Sequence, residues 1–233
     1  MMYQLNQELT VEIRKKKIKN LNLRVLSDCK IICSAPQKLT DDRIIDFIKR
    51  KQNWILEKID KYTKLKSIKS FDILKNGGSV QILGHDYKVN FIKSENFKIE
   101  TNDLNINIFT KNVENLAYIQ NKYNAYIKKQ MESDFQKLID KFYPIVKIYN
   151  VEKPKLKIRK MQACWGNCNR ERQTITLNEF LYKASPLCIE YVVLHELTHF
   201  LYPYHDKNFY NFVEIHMPDW QERKNILNQN YAV

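Results

Sequence analysis

The stretch that decides the fold runs Ser185-Pro186-Leu187-Cys188-Ile189-Glu190-Tyr191-Val192-Val193-Leu194-His195-Glu196-Leu197-Thr198-His199-Phe200-Leu201-Tyr202-Pro203-Tyr204-His205-Asp206. Ser185 followed by Pro186 is a helix start: a capping residue, then a proline whose missing N–H costs nothing at the first helical position. Pro203 cannot continue a helix and disfavours helical geometry at Tyr202. One helix is therefore predicted from 185 to about 202. Inside it His195 and His199 are four apart and share a face, so both imidazoles can reach one metal ion. Glu196 lies one step round, placed to take a proton from water rather than to ligate. Two histidines fall one short of the three protein ligands of an open tetrahedral zinc site. His205 supplies the third, because Pro203 ends the helix and lets the chain turn back. Asp206 then caps a following helix with Phe209, Phe212 and Val213 inward.

This donor set defines a chemistry. Zinc lowers the pKa of the water it binds to about 7 and polarises a carbonyl. A carboxylate beside it can act as general base and pass the proton to a leaving amine. The expectation is hydrolysis of peptide bonds, with one Zn2+ per chain held by His195, His199 and His205, Glu196 as the catalytic base, and a peptide or protein as substrate. Two other readings compete: a buried helix whose histidines only hydrogen-bond, and a metal-binding scaffold without turnover. Metzincins carry a glycine three residues after the second histidine; here that position is Tyr202, which argues against that class. Met217 is weak support for a methionine turn.

Working outward, Leu21, Leu23 and Val25 alternate as in a half-buried strand, with a turn at Ser27-Asp28 before Ile31-Ile32-Cys33. Thr40 reads as an N-cap with Asp41 and Asp42 in the first turn. Ile44, Ile48, Ile55, Ile59 and Tyr62 continue at helical spacing to about residue 66. Turn signals at Asn76-Gly77-Gly78, Gly84-His85 and Asn102-Asp103 divide short strands over 71–110. A long helix is predicted from about Glu114 to Tyr143. Lys155 to Met161 and Thr174 to Leu177 alternate again as strands. The strand at 174–178 is expected at the sheet edge beside the site, where a substrate backbone adds as a further strand. No internal repeat is visible. The class is α+β: a strand-rich region over 1–110, then a catalytic region over 111–233 with its helix packed on a small sheet.

The 233 residues, 44% of them hydrophobic, suffice for a sizeable core. No apolar run approaches the roughly 20 residues of a membrane helix, and the first residues lack the pattern of a secretory signal. The cytoplasm is the expected compartment. Cys29, Cys33, Cys164, Cys168 and Cys188 are odd in number and are expected as reduced thiols. Cys168 is expected as a small buried side chain, with an inhibitory ligand to the metal or a place in the cleft wall as the alternatives. The net charge of +13 is uneven: residues 1–160 carry 33 Lys/Arg against 18 Asp/Glu, and 161–233 carry 6 against 8. A basic N-terminal half opens a second function class, docking to nucleic acid. The lysine bias of the whole chain, 31 Lys to 8 Arg, equally accounts for the charge.

Several ordered segments carry a family resemblance: Trp165-Gly166-Asn167-Cys168, Ile175-Thr176-Leu177-Asn178, Glu190-Tyr191-Val192-Val193-Leu194-His195-Glu196-Leu197-Thr198-His199, Tyr204-His205-Asp206-Lys207-Asn208-Phe209 and Pro218-Asp219-Trp220. Together they resemble the YgjP-like metallopeptidases, distant relatives of the SprT-like proteases. Residues 1–110 match more loosely, through the strands near 18–34, Trp54-Ile55 and Leu83-Gly84-His85-Asp86-Tyr87. The resemblance implies a zincin-like fold, zinc on His195, His199 and His205, and a catalytic Glu196. Asn167, Glu190, Tyr204 and Asp206 depart from the family pattern without removing a ligand or the base. The SprT-like relatives suggest a combined alternative, a protease acting on DNA-bound proteins.

Overall fold

Alternation of apolar and polar residues builds the first sheet. A computed structural model describes the chain except residues 7–8, 27–28, 70–73, 162–163 and 232–233, and the side chains of 61–69. The turn expected at Ser27-Asp28 lies outside the described residues. Strands β1 (Met2–Gln4), β2 (Thr10–Lys16), β3 (Asn22–Val25) and β4 (Ile31–Pro36) form a sheet of order β1-β2-β4-β3. The outer pairs are antiparallel and the central pair, β2 with β4, is parallel. Val11, Ile13, Ile31, Cys33 and Ala35 share its buried face with Ile44, Ile48 and Ile55. The helix expected over 41–66 is two helices, α1 (Asp41–Arg50) and α2 (Gln52–Lys69). They part at Lys51, whose N–H reaches the carbonyls of both Phe47 and Ile48, a local tightening of the last turn. Thr40 has extended geometry, but its side chain makes no cap bond.

Residues 1–70 form one compact unit and 71–233 a second. The second opens with β5 (Ser79–Ile82), β6 (His85–Lys93), β7 (Lys98–Asn102) and β8 (Asn105–Thr110). Their order is β5-β6-β8-β7, again with antiparallel outer pairs and a parallel centre, β6 with β8. Each sheet is followed in the chain by helix, here α3 (Leu116–Lys147). The same strand pattern therefore occurs twice in a chain whose sequence shows no repeat. Pairing needs only a buried alternate row, as in Ile106 and Ile108, so side-chain identities need not match.

The remaining elements are β9 (Lys155–Arg159), β10 (Gly166–Asn169), β11 (Thr174–Asn178), a 3-10 turn at Glu179–Lys183, α4 (Pro186–Thr198), α5 (Lys207–His216) and α6 (Trp220–Asn230). The third sheet has the order β10-β11-β9. β11 is central, antiparallel to β10 and parallel to β9. The expectation that 174–178 forms the edge is thus corrected: β10 holds that position. Its four residues, Gly166-Asn167-Cys168-Asn169, lack apolar alternation and gave no strand signal.

Helix α4 is buried along most of its length, from Cys188 through Thr198. Its start is fixed from outside. Leu83 and Gly84, in the turn between β5 and β6, donate their N–H groups to the carbonyls of Tyr182 and Lys183 at 2.8 and 3.0 Å. Gly84 has φ +82°, and a Cβ there would come within 3.1 Å of the Ser185 backbone, so only glycine allows this docking. On the far side Glu190 accepts from Lys141 of α3 at 2.5 Å and from Arg223 of α6 at 2.7 Å. Arg223 also donates to Asp219 at 2.9 Å. Burial pushes the Glu190 carboxyl up, but these bonds carry it below the ordinary carboxylate value. Among the described residues no helix is long and apolar enough to cross a membrane.

Arg223 and Glu190 side chains are only 14% and 15% exposed. Removing Arg223 leaves Glu190 with Lys141 alone and takes from Asp219 its arginine partner. Arg223→Ala is expected to cost about 2–3 kcal/mol, read from the midpoint of urea unfolding.

Candidate active site and metal centre

The end of α4 brings the predicted residues together. Thr198 closes the last turn through Oγ1 to the Leu194 carbonyl at 2.8 Å. Tyr202 then bonds back to the Thr198 carbonyl, Pro203 stops the helix, and the chain reverses. Asp206 caps α5 by accepting from the Phe209 N–H at 3.0 Å. This leaves His205 just ahead of α5 and beside α4. One ligand atom from each of His195, His199 and His205 lies within 4.8 Å of the others. His205 Nε2 is 2.9 Å from His195 Nε2. These three residues can hold a metal ion.

Their ring orientations have visible causes. His199 Nδ1 is 3.1 Å from the Tyr202 carbonyl. A carbonyl only accepts, so Nδ1 carries the proton and Nε2 keeps its lone pair, as metal-binding imidazoles require. Tyr191 Oη stands 3.5 Å from His195 Nδ1. Phe209 packs against all three imidazoles at 4.7–4.8 Å. Behind them, Tyr210 stacks on His205 at 6.1 Å and on Trp220 at 5.1 Å, and Trp220 stacks on Tyr191 at 6.3 Å. Burial, with the neighbouring histidines and Lys224, holds His195 neutral down to about pH 3.

Glu196 is 5% exposed. Burial pushes its carboxyl up to about 8, against a hydrogen bond from the Cys168 backbone that favours the charged form. Its other neighbour is Gly166 of β10. A Cβ on Gly166 would fall 2.6 Å from Cγ and Oε1 of Glu196. The carboxyl rests on bare backbone, and any larger residue would displace it. Asn178, at the end of β11 and fully buried, fixes the approach of this strand. Its side chain donates to the carbonyls of Met161 and Cys164 at 2.8 and 3.0 Å and accepts from the N–H groups of Met161 and Phe180. Gly166 and Asn178 shape the surroundings of Glu196, a role that local sequence reading did not assign. Both lie inside segments that carry the family resemblance, which was the available signal.

A cavity of about 540 Å³ opens over the site, lined by β10, α4 and α6. Cys164 and Cys168 both border it, and all five cysteines are free. Burial, then Glu196, pushes the Cys168 thiol up to about 12, so it stays protonated. Of the tyrosines near the site, Tyr191 lines the cavity, Tyr202 contributes only its carbonyl to His199, and Tyr204 is 77% exposed. His216 packs on Phe212 at 4.6 Å, and His85 begins β6; neither joins the cluster.

Comparison with known proteins identifies the family. The profile of the YgjP-like metallopeptidase domain matches residues 19–230. The chain belongs to the YgjP-like metallopeptidase family. It is accordingly a hydrolase, and the family implies a metal cofactor. The metallopeptidase zymogen of Pyrococcus abyssi abylysin is similar at 21% identity, covering 42% of this chain and 98% of that one, with a TM-score of 0.37. The zymogen of Methanocaldococcus jannaschii jannalysin is similar at 20% identity over 41% and 95%, with a TM-score of 0.36. A search of curated proteins gives no match.

The raised carboxyl and lowered imidazole set opposite pH dependences in metal-stripped protein. Glu196 has a folded pKa above its unfolded 4.5, so its ionisation destabilises the fold as pH rises from about 4.5 to 8. His195, held at about 3 against an ordinary 6.5, costs stability as pH falls between those values. In EDTA-treated protein, wild type is expected to lose melting temperature between pH 5 and 8 relative to Glu196→Gln. Parallel melting curves for the two proteins across that range would contradict the burial argument.

Proposed function

We propose that this chain is a zinc-dependent peptidase in which His195, His199 and His205 hold one zinc ion and Glu196 is the general base. One observation carries the proposal: three imidazoles, one ligand atom from each within 4.8 Å of the others, meet beside a buried carboxyl at the floor of an open cavity. Three neutral nitrogen donors suit zinc among common metals. Zinc, when bound, supplies Lewis acidity toward a water and toward the peptide carbonyl. Glu196 accepts the proton of the attacking water. Its raised pKa, near neutrality, lets it return that proton to the leaving amine. Gly166 and the Cys168 N–H keep the carboxyl aimed at the cavity rather than away from it. β10 is an edge strand lining the same cavity, so an extended substrate backbone finds an unpaired edge to bond.

Purified protein is expected to carry about one zinc per chain by elemental analysis, and His199→Ala to lose it. Glu196→Gln should keep the zinc and lose peptide hydrolysis by about 10²–10⁴-fold. Unchanged cleavage in that variant would refute the assigned base.

Gly166→Ala separates position from chemistry. The added methyl must move the Glu196 carboxyl. The variant is expected to bind zinc as wild type does, while its kcat falls at least tenfold, because misplaced catalytic groups cost rate steeply. A kcat equal to wild type would show that the contact does not position the base.

A further inference from the structure

We propose that Arg170 and Lys224 recognise a carboxylate of the substrate, so that this cleft selects peptides presenting an acidic side chain or a free C-terminus near the bond to be cut. The proposal rests on the peptidase function above and names its substrate class.

Apart from the histidines, the cavity has three charged side chains in its wall: Arg170, Glu196 and Lys224. Glu196 is buried and packed against the Gly166 backbone. The two cations have no such answer. Neither makes an ion pair or a side-chain hydrogen bond among the described residues. The contrast lies one residue away. Arg223, next to Lys224 on α6, is committed to Glu190 and Asp219 and supports the fold. Lys224 supports nothing of that kind.

Lys224 is nonetheless held in place, and Arg170 is held through its backbone. Lys224 Nζ lies 5.5 Å from the ring centre of Trp220 and 5.8 Å from that of Tyr210. A cation over an aromatic face is attracted to it and gives up part of its freedom to swing. Trp220 and Tyr210 belong to the stack that backs His195 and His205, so the ammonium is mounted on the wall that supports the metal centre. Its field reaches His195, though burial and the other histidines act on that ring more strongly. Arg170 sits in the turn between β10 and β11. Its carbonyl accepts from Gln173 Nε2 at 2.8 Å, which fixes the backbone and leaves the guanidinium for a ligand. Its charge is felt at Cys168, inside the cleft. Two cations without carboxylate partners on the walls of a cleft attract anions and hold them by charge-assisted hydrogen bonds.

The test measures binding apart from turnover. Zinc-loaded Glu196→Gln protein is titrated against fluorescein-labelled decapeptides by anisotropy. One series moves a single Glu, or Gln as its control, through an otherwise neutral sequence; a second compares a free C-terminus with an amide. The carboxylate form of at least one pair is expected to bind about tenfold tighter. A preference that follows the Glu position identifies a side-chain subsite; one that follows the terminus identifies carboxyl-terminal recognition. The preference should vanish in Arg170→Ala/Lys224→Ala, and Lys224→Glu should turn it toward Lys-containing peptides. Equal binding of charged and neutral forms, or a preference that survives the double variant, would overturn the proposal, as would absence of peptide binding. Retained preferential binding with no turnover by wild type would instead overturn the peptidase function.

Discussion

The contact between the Glu196 carboxyl and the backbone of Gly166 is the constraint on which the site depends. It joins an edge strand to the helix that carries two of the three histidines, at a distance no side chain at 166 would permit. Both partners are therefore fixed by machinery that touches neither the metal nor the substrate. Asn178 ties β10's approach to the end of β11. The Gly84 turn and the Glu190–Arg223 pair hold α4 from its start and its side. A buried polar network of this kind specifies one arrangement because each alternative leaves a donor or charge unpaired.

What was legible in the sequence was chemistry at fixed local spacing. Ser185-Pro186 and Pro203 bounded the active-site helix within a few residues, and Asp206 capped the next helix as expected. His195 and His199 share a face by helical geometry alone. What was not legible depends on partners distant in the chain. The need for glycine at 166 becomes visible only when Glu196 is packed on it. β11 looks like an edge until β9 and β10 pair on either side. The break at Lys51 follows from one residue of altered hydrogen bonding, which leaves no mark on composition. The doubled four-strand pattern was hidden because a sheet fixes which positions are apolar but not which apolar residue fills them.

The distribution of charge has the same logic at the level of a helix. α6 carries Arg223 and Lys224 side by side, yet one is saturated by two carboxylates and the other faces the cleft over aromatic rings. Successive helix positions point about 100° apart, so neighbours in sequence enter different environments. Net charge of the region, close to balance, conceals this division. Local pairing, rather than the overall count, separates a structural cation from one left for a ligand.

Desolvation at the candidate metal centre has one consistent sign. Burial raises Glu196 and lowers His195, so the pocket disfavours both a bare carboxylate and a protonated imidazole. Near neutral pH the carboxyl is therefore held by burial close to its titration point, where an exposed Glu would be ionised, and the imidazole is kept unprotonated. A cation held by the three imidazoles answers both demands, because it adds positive charge beside the carboxyl without adding a proton to the rings. The proposed ligands and the proposed base are for that reason a single electrostatic unit: the burial that costs stability in metal-stripped protein is what sharpens the preference of the pocket for a metal ion over protons.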